Sequence, residues 1–447
     1  MIDETGSLTP LAPAYPLDGE ETLVWEGDGV LSSSGQTELT QVLVRWDPAT
    51  ELLFRQPDAD SDELAAFQAF EPQTTLRLEG FDEEIPVLLR SHAPASGRIA
   101  HLSWGDAGRV RKVRFHLTNF PNVLLPLSLH QKDADGERYW RGSMLAEGGR
   151  WELRLDARPE LKDLATAIEE RQTFAVTHIG QLSRRDGETF SSDEIDSALR
   201  CLLALFSFGR GAWSAPMLPV GFDDRSARVW WNAGSVFCTA GLVRGLSWLD
   251  SHDGDGFQQV AGQWMDLWEE PQWRVALDRA VMYYTEANRQ GVGHPSFLEI
   301  RYTLAQAGLE LMAWTILKQE ASEERPAWVK GPGAAPTNLR NLLMWAGIPQ
   351  EVPPELPALE ALKQDHGWDD AAHVPSWLRN QIAHPKPRPE AAGPAHDVLW
   401  QGTQLAVWYL ELLLLRRLGF NGRYGCRLET ERWAGQTRPV PWAEKAQ

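Results

Sequence analysis

The apolar residues change period once along the chain, and that change limits what the chain can fold into. From Thr22 to about Gly187 they come in short alternating or β-branched runs: Thr22 to Val24, Leu39 to Trp46, Thr75 to Leu78, Ile99 to Trp104, Val110 to Leu117 and Trp151 to Leu155. Gly, Pro and Asp turns separate them, which is the signature of strands. At Ser191 the pattern turns helical. Ser191-Ser192-Asp193-Glu194 reads as a capping box, and Ile195, Leu199, Leu202, Leu203 and Phe206 follow at helical spacing.

Pro216 to Trp231 reads as a hairpin, after which the rest is helical from about Gln258. Trp273 to Asn288 is amphipathic, and Ser296-Phe297-Leu298-Glu299 opens a helix whose expected apolar face holds Ile300, Leu304, Leu311 and Ile316. A shorter helix is expected over Asn338 to Ala346, and a long apolar one over Val398 to Leu418. Ala321 to Pro336 reads as a loop able to admit a substrate. The expected class is therefore α+β. Residues 1–188 form a β-rich sandwich or barrel-like domain, 189–255 a connecting helix and hairpin, and 256–447 a bundle of four or five helices.

At 447 residues two or three domains are expected, and 21 Trp indicate a well-filled core. A net charge of −19 argues against a general nucleic-acid coat, because sequence-independent binding draws on Lys and Arg neutralising phosphates. Contact with RNA would have to be local. The stretch Ser376 to Arg388 supplies Arg379, Lys386 and Arg388 without an acid, and Arg416, Arg417, Arg423 and Arg427 follow. The alternative is a solvated basic helix end. Cys201, Cys238 and Cys426 are far apart, as expected of reduced thiols. Met1-Ile2-Asp3-Glu4 lacks a signal peptide's pattern, and Gln401, Thr403, Gln404 and Glu411 interrupt the last apolar helix. A cytoplasmic protein with no membrane span is expected.

One segment carries chemistry. Leu378-Arg379-Asn380-Gln381-Ile382-Ala383-His384-Pro385-Lys386 places a permanent cation near a titratable imidazole. RNA carries its own nucleophile, the ribose 2′-OH, so a cutter needs proton transfer and charge neutralisation. His384 suits the first, since an imidazole titrates near pH 6.5. Arg379 suits the second, offering a planar fork to two phosphate oxygens. Asn380 can orient either group. Five residues of unbroken helix would set Arg379 and His384 about 140° apart. Pro385, Pro387 and Pro389 make a break after His384 the expected geometry.

This arrangement resembles the HEPN domains (higher eukaryotes and prokaryotes nucleotide-binding), whose ribonuclease members carry Arg-x4-6-His, and within them the ApeA-like anti-phage branch. Further segments share the likeness: Thr177-His178-Ile179-Gly180-Gln181-Leu182, Leu205-Phe206-Ser207-Phe208-Gly209-Arg210-Gly211, Ala307-Gly308-Leu309-Glu310, and Leu412 to Tyr424. The resemblance implies a metal-independent endoribonuclease without cofactor, leaving cyclic-phosphate ends. Its site would be Arg379, Asn380 and His384, with Glu310 as an acidic helper. The charge pattern adds Lys386, Arg388, Arg416 and Arg423 as the residues expected to bind substrate. It also implies a homodimer with a composite cleft, an RNA substrate such as tRNA, a phage-derived trigger and a sensing N-terminal domain. The alternative is a non-catalytic HEPN binding or dimerisation module in a defence or toxin-antitoxin complex. Glu310 read without the family is a helix residue paired with a neighbouring Arg.

Other candidates fare less well. Arg111, Lys112, Arg114 and His116 on one strand suggest an anion site, but a solvated face is the preferred reading. Trp230 and Trp231 suggest base stacking, but core packing is preferred. Asp253-Gly254-Asp255-Gly256 reads as a turn, and Gly291-Val292-Gly293 as a linker. His366, His373 and His396 form no persuasive metal triad and are candidates for a second proton carrier.

Overall fold

The computed structural model describes residues 6–17, 22–33, 36–47, 51–55, 74–81, 83–92, 95–133, 136–234, 236–241, 247–289, 295–383, 394–429 and 432–443. It is an α+β structure. Six strands close a small antiparallel barrel: β1 (Thr22–Ser33), β2 (Gln36–Asp47), β3 (Glu51–Arg55), β4 (Thr75–Leu78), β5 (Ile85–His92) and β6 (Ala95–Ile99), in the order β1-β2-β3-β6-β5-β4. Of the two β forms expected over residues 1–188, the barrel is taken by the strands from Thr22 to Ile99 alone. Alternation explains it: Val42, Val44 and Trp46 on β2, Leu76 and Leu78 on β4 and Ile99 on β6 point inward and are buried.

The run Ile99 to Trp104, expected as one strand, is two. The barrel strand stops at Ile99, and β7 (His101–Gly105) joins a second sheet. That sheet contains β8 (Lys112–Thr118), β9 (Leu127–Asp133), β10 (Gly136–Gly148), β11 (Trp151–Ala157), β12 (Val176–Arg184), β13 (Pro216–Phe222) and β14 (Arg228–Gly234). Its order is β7-β14-β13-β8-β12-β11-β10-β9. The hairpin read as a connection is thus part of this sheet, hydrogen-bonded between β7 and β8. Helix α1 (Leu161–Arg171) joins β11 to β12.

Both faces of the large sheet are covered. Val113, Phe115 and Leu117 of β8 belong to the core shared with the helices, whereas Ile179, Met217 and Val220 belong to the core shared with the barrel. Adjacent residues on a strand point oppositely, so Trp230 packs toward the helices and Trp231 toward the barrel. Neither is free to stack on a base.

His116 corrects the solvated-face reading, since it is fully buried. Its side of β8 is roofed by the segment 7–17. Ala14 N donates to His116 Nε2 at 3.2 Å, Arg114 Nη1 donates to Ala12 O, and Leu11 N donates to Asp156 Oδ2 at 2.8 Å.

Helix α2 (Ser192–Arg210) has the capping box expected of Ser191 and Glu194. Next come α3 (Gly254–Trp268), α4 (Pro271–Asn288) and α5 (Pro295–Ala313), the last continuing as a π-helical turn over Trp314–Gln319. The chain ends in α6 (Ala334–Ala346), α7 (Pro357–His366), α8 (His373–Ala383), α9 (His396–Arg417) and a two-stranded ribbon, β15 (Arg423–Tyr424) with β16 (Arg438–Pro439). Asp253 is not a turn residue but the N-cap of α3, accepting from Gly256 N at 2.9 Å.

Ile300 does not join the buried face of α5. It is exposed, and Leu298, Tyr302, Ala305, Leu309 and Met312 face inward instead. Helix α9 is long and apolar enough to cross a membrane, yet 78% of its most apolar window is buried in protein. Its charge is accommodated inside: Glu411, fully buried, pairs with Arg427 at 2.7 Å and accepts from the Tyr284 hydroxyl.

Candidate active site

Helix α8 carries the Arg-Asn pair, and three neighbours hold it. Tyr302 of α5 donates its hydroxyl to Pro375 O at 2.6 Å. Arg340 of α6 grips Asp370, just ahead of α8, through Nε and through Nη2 at 3.2 Å, and Nη2 also lies 3.1 Å from His373 Nε2. On the third side α8 presses on α9 at Gly402, where a Cβ would stand 2.2 Å from Leu378 Cδ1. Glycine permits that approach.

With Leu378 anchored in the core, Arg379 and Asn380 fall on the exposed side of the last turn. Arg379 Nε stands 3.8 Å from Glu310 Oε1 of α5, with both side chains about half exposed. This is the pairing with a neighbouring Arg expected of Glu310 when it is read simply as a helix residue. Gln306, one turn earlier on α5, donates Nε2 to Glu310 Oε1 at 3.3 Å. His384, Lys386 and Arg388 lie outside the described residues.

Glu310 also edges a cleft of about 400 Å³. Helix α5 supplies Gln306, Leu309 and Ala313, the π-helical turn supplies Trp314, and α8 supplies Ser376, one turn before Arg379. Trp328 and Gly331 of the loop expected to admit substrate complete the lining with Ala334, Ala335, Asn338 and Leu339 of α6. Sequence reasoning passed over Trp314 and Trp328. The i, i+4 ladder Gln306-Glu310-Trp314 is the signal that could have found the first.

Arg416 and Arg423 are not brought to this place. Along α9, Arg416 lies about 20 Å beyond Gly402, the level at which Leu378 packs. Its guanidinium sits over the Trp442 ring at 5.5 Å. Arg423 donates Nε to Thr437 Oγ1 at 3.0 Å and faces a separate cleft lined by Asp250, Asp253 and Asp255. Those carboxylates disfavour a phosphate there. The other basic residues of the tail are spoken for: Arg417 pairs with Glu320 at 2.8 Å, and Arg427 with Glu411.

The three flanking histidines are engaged with other residues. His366 and His373 both stack on Trp368, at 4.7 and 5.7 Å between centroids, and His396 Nδ1 lies 3.6 Å from Asp397 Oδ1. Trp377, which shares the side of α8 that carries His373, closes the aromatic group at 5.2 Å from His366. Among the described residues no three His, Cys, Asp or Glu side chains are grouped to hold a metal.

Residues 105–241 match the YopA central domain, and residues 270–440 match the YopA C-terminal domain. The first match runs from the end of β7 through β14, and the second takes in α4 to α9 with the closing ribbon. The barrel lies outside both. The SPbeta prophage-derived uncharacterized protein YopA of Bacillus subtilis (strain 168) is 25% identical over 340 residues, covering 75% of this chain and 72% of that protein. No solved structure matches.

Proposed function

We propose that this protein is a metal-independent endoribonuclease of HEPN type, acting in the cytoplasm in phage-related defence. The observation that carries this reading is the exposed last turn of α8, where Arg379 stands beside Glu310, itself at the edge of a cleft. Ala383 lies one turn beyond Arg379 on the same face, and His384 follows it directly in the chain. His384 takes the 2′-OH proton, the Arg379 fork neutralises the phosphorane, and a water molecule protonates the 5′ oxygen as it leaves. Glu310 orients the fork, and Asn380 orients the attacking hydroxyl. Lys386 and Arg388 extend the phosphate contacts. A second copy of the chain completes the cleft with its own motif. The prophage derivation in the name of the Bacillus relative supports a phage-related setting, and the N-terminal β region is the part that meets a phage-derived trigger.

The test is cleavage of end-labelled total RNA and tRNA in EDTA by wild-type and His384→Ala protein. Cyclic-phosphate ends in the wild-type digest, absent with the variant, are expected. Equal cleavage by both would remove His384 from the reaction, and no cleavage by either would leave the ribonuclease reading without support.

A second reading has its own observation. Phe297 and Ile300 on α5 and Trp400 on α9 are large, apolar and about half exposed. A non-catalytic HEPN module would use such residues against a partner, with Arg379 serving only as the mate of Glu310.

A further inference from the structure

We propose that the cleft beside Glu310 seats one unpaired nucleobase of the RNA, stacked on the Trp314 ring with Trp328 standing edge-on beside it, while the adjoining phosphate lies at Arg379. This rests on the ribonuclease reading for the identity of the strand, but the base site is argued from its own geometry.

Trp314 is 41% exposed although it adjoins a well-filled core. Its ring is oriented on two sides. Lys318 Nζ stands 3.2 Å from the ring centroid, and the Trp328 ring meets it edge-on at 5.6 Å and 80°. The backbone there is the π-helical turn Trp314–Gln319, an irregularity that recurs at functional sites.

Trp328 belongs to a loop but is not left to wander. Asn338 accepts from Val329 N at 2.8 Å and donates to Val329 O at 3.0 Å, and Asn341 donates to Ala327 O at 3.1 Å. Two asparagines one turn apart on α6 thus clamp the residues on both sides of Trp328. A loop fixed in this way presents a preformed wall.

The chemistry of the cleft fits a base. A volume of about 400 Å³ lies within the usual range for small organic ligands. Leu309, Ala313 and Leu339 make an apolar floor, and the Glu310 carboxylate can accept from an exocyclic amine. A duplex base has both faces covered by its neighbours, so only an unpaired one can enter. Ser376 lines the cleft and Arg379 follows it by one turn of α8, so a base inside sets its backbone phosphate toward the guanidinium.

The experiment is fluorescence anisotropy with a labelled twelve-nucleotide oligodeoxyadenylate, which lacks the 2′-OH and is not cut, and with an abasic deoxyribose-phosphate strand of about the same length. Wild-type protein should prefer the oligodeoxyadenylate. Trp314→Ala and Trp328→Ala should weaken its binding roughly five- to a hundredfold and leave the abasic strand unaffected. Trp314→Phe, which keeps a stacking ring, should stay within a few-fold of wild type and so exclude misfolding as the cause. Unchanged affinity in both alanine variants, equal wild-type affinity for the two strands, or binding of neither would overturn the base site. RNA cleavage in EDTA is read separately. Stacking without cleavage would sink the ribonuclease reading alone, and cleavage with unaltered affinity in the alanine variants would sink the base site alone.

Discussion

Arg379 Nε and Glu310 Oε1 stand 3.8 Å apart across the seam between α8 and α5, in contact with solvent and at the edge of a cleft. A half-exposed pair of this kind contributes about 1 kcal/mol or less, so an arriving phosphate can displace the carboxylate at small cost. Its use therefore lies in orientation more than in stability. Arg379→Lys replaces a fork by a point charge and is expected to lower the RNA cleavage rate about a hundredfold. Glu310→Gln should lower it about tenfold while barely moving the melting temperature. Rates for both, measured on one labelled RNA, decide it; a wild-type rate in Arg379→Lys would show that the guanidinium takes no part.

The contact of Gly402 with Leu378 sets how closely α8 approaches α9. Gly402→Ala should destabilise by about 1–3 kcal/mol through overpacking, and should also impair cleavage by pushing the Arg379 turn outward. Leu378→Ala removes the clashing methyl groups at a cost of about 2–5 kcal/mol. In the double variant the new methyl enters the space vacated, so the cost should fall below the sum of the single changes by about 1 kcal/mol or more. Additive costs in chemical unfolding would mean that the helices adjust elsewhere.

Arg427 looks in the sequence like one of a run of RNA contacts, yet it is buried against Glu411. Burial works against its charge, and the Glu411 carboxylate outweighs burial and pushes the guanidinium pKa up. Asn288 Oδ1 takes a further bond at 2.9 Å. Glu411→Leu should cost about 3–5 kcal/mol because it strands a buried cation, while Glu411→Leu with Arg427→Met should recover much of that loss. Unfolding monitored by tryptophan fluorescence gives the comparison. If Arg427→Met weakened RNA binding at unchanged stability, the residue would be a surface contact after all.

What the sequence made legible was local. The capping box at Ser191 and Glu194, the alternation in β2 and β8 and the apolar length of α9 each depend on residues close together in the chain, and each appears in the structure. Long-range packing was not legible. Ile300 has the spacing of a core residue, but Tyr302 and Leu298 define the buried side because α9 lies against them. Arg416 and Arg423 are close to the motif in charge pattern only, since α9 carries them away along its length. The walls of the cleft come from α5, a loop and α6, and nothing in a linear pattern announces that Trp314 and Trp328 meet.

His116 lets the closure of the segment 7–17 be followed by pH. Its Nδ1 lies 3.3 Å from Met217 O and its Nε2 accepts from Ala14 N, so the ring in place is the neutral tautomer with Nδ1–H donating. Burial lowers its pKa to about 4, opposed by bonds to the Met217 and Leu218 carbonyls and assisted by Arg114 and Arg158. Tyr15, which packs on the ring, is held protonated by burial, with its pKa pushed up to about 12. An unfolded His titrates near 6.5. Because the folded value is the lower one, the unfolded chain binds the proton first as pH falls. Stability from His116 is thus fully present above about pH 6.5 and is lost progressively down to about pH 4, by roughly 3 kcal/mol in all. His178, which burial lowers to about 3, adds a loss of the same sign over a slightly wider window. Protonating His116 also removes the acceptor for Ala14 N, so the segment 7–17 should become open to protease in the same interval. Melting temperature and limited proteolysis between pH 7 and about pH 4, with wild type and His116→Gln, test this. A steep fall in wild type and a shallower one in the variant are expected, and parallel curves would mean that other groups govern the acid transition.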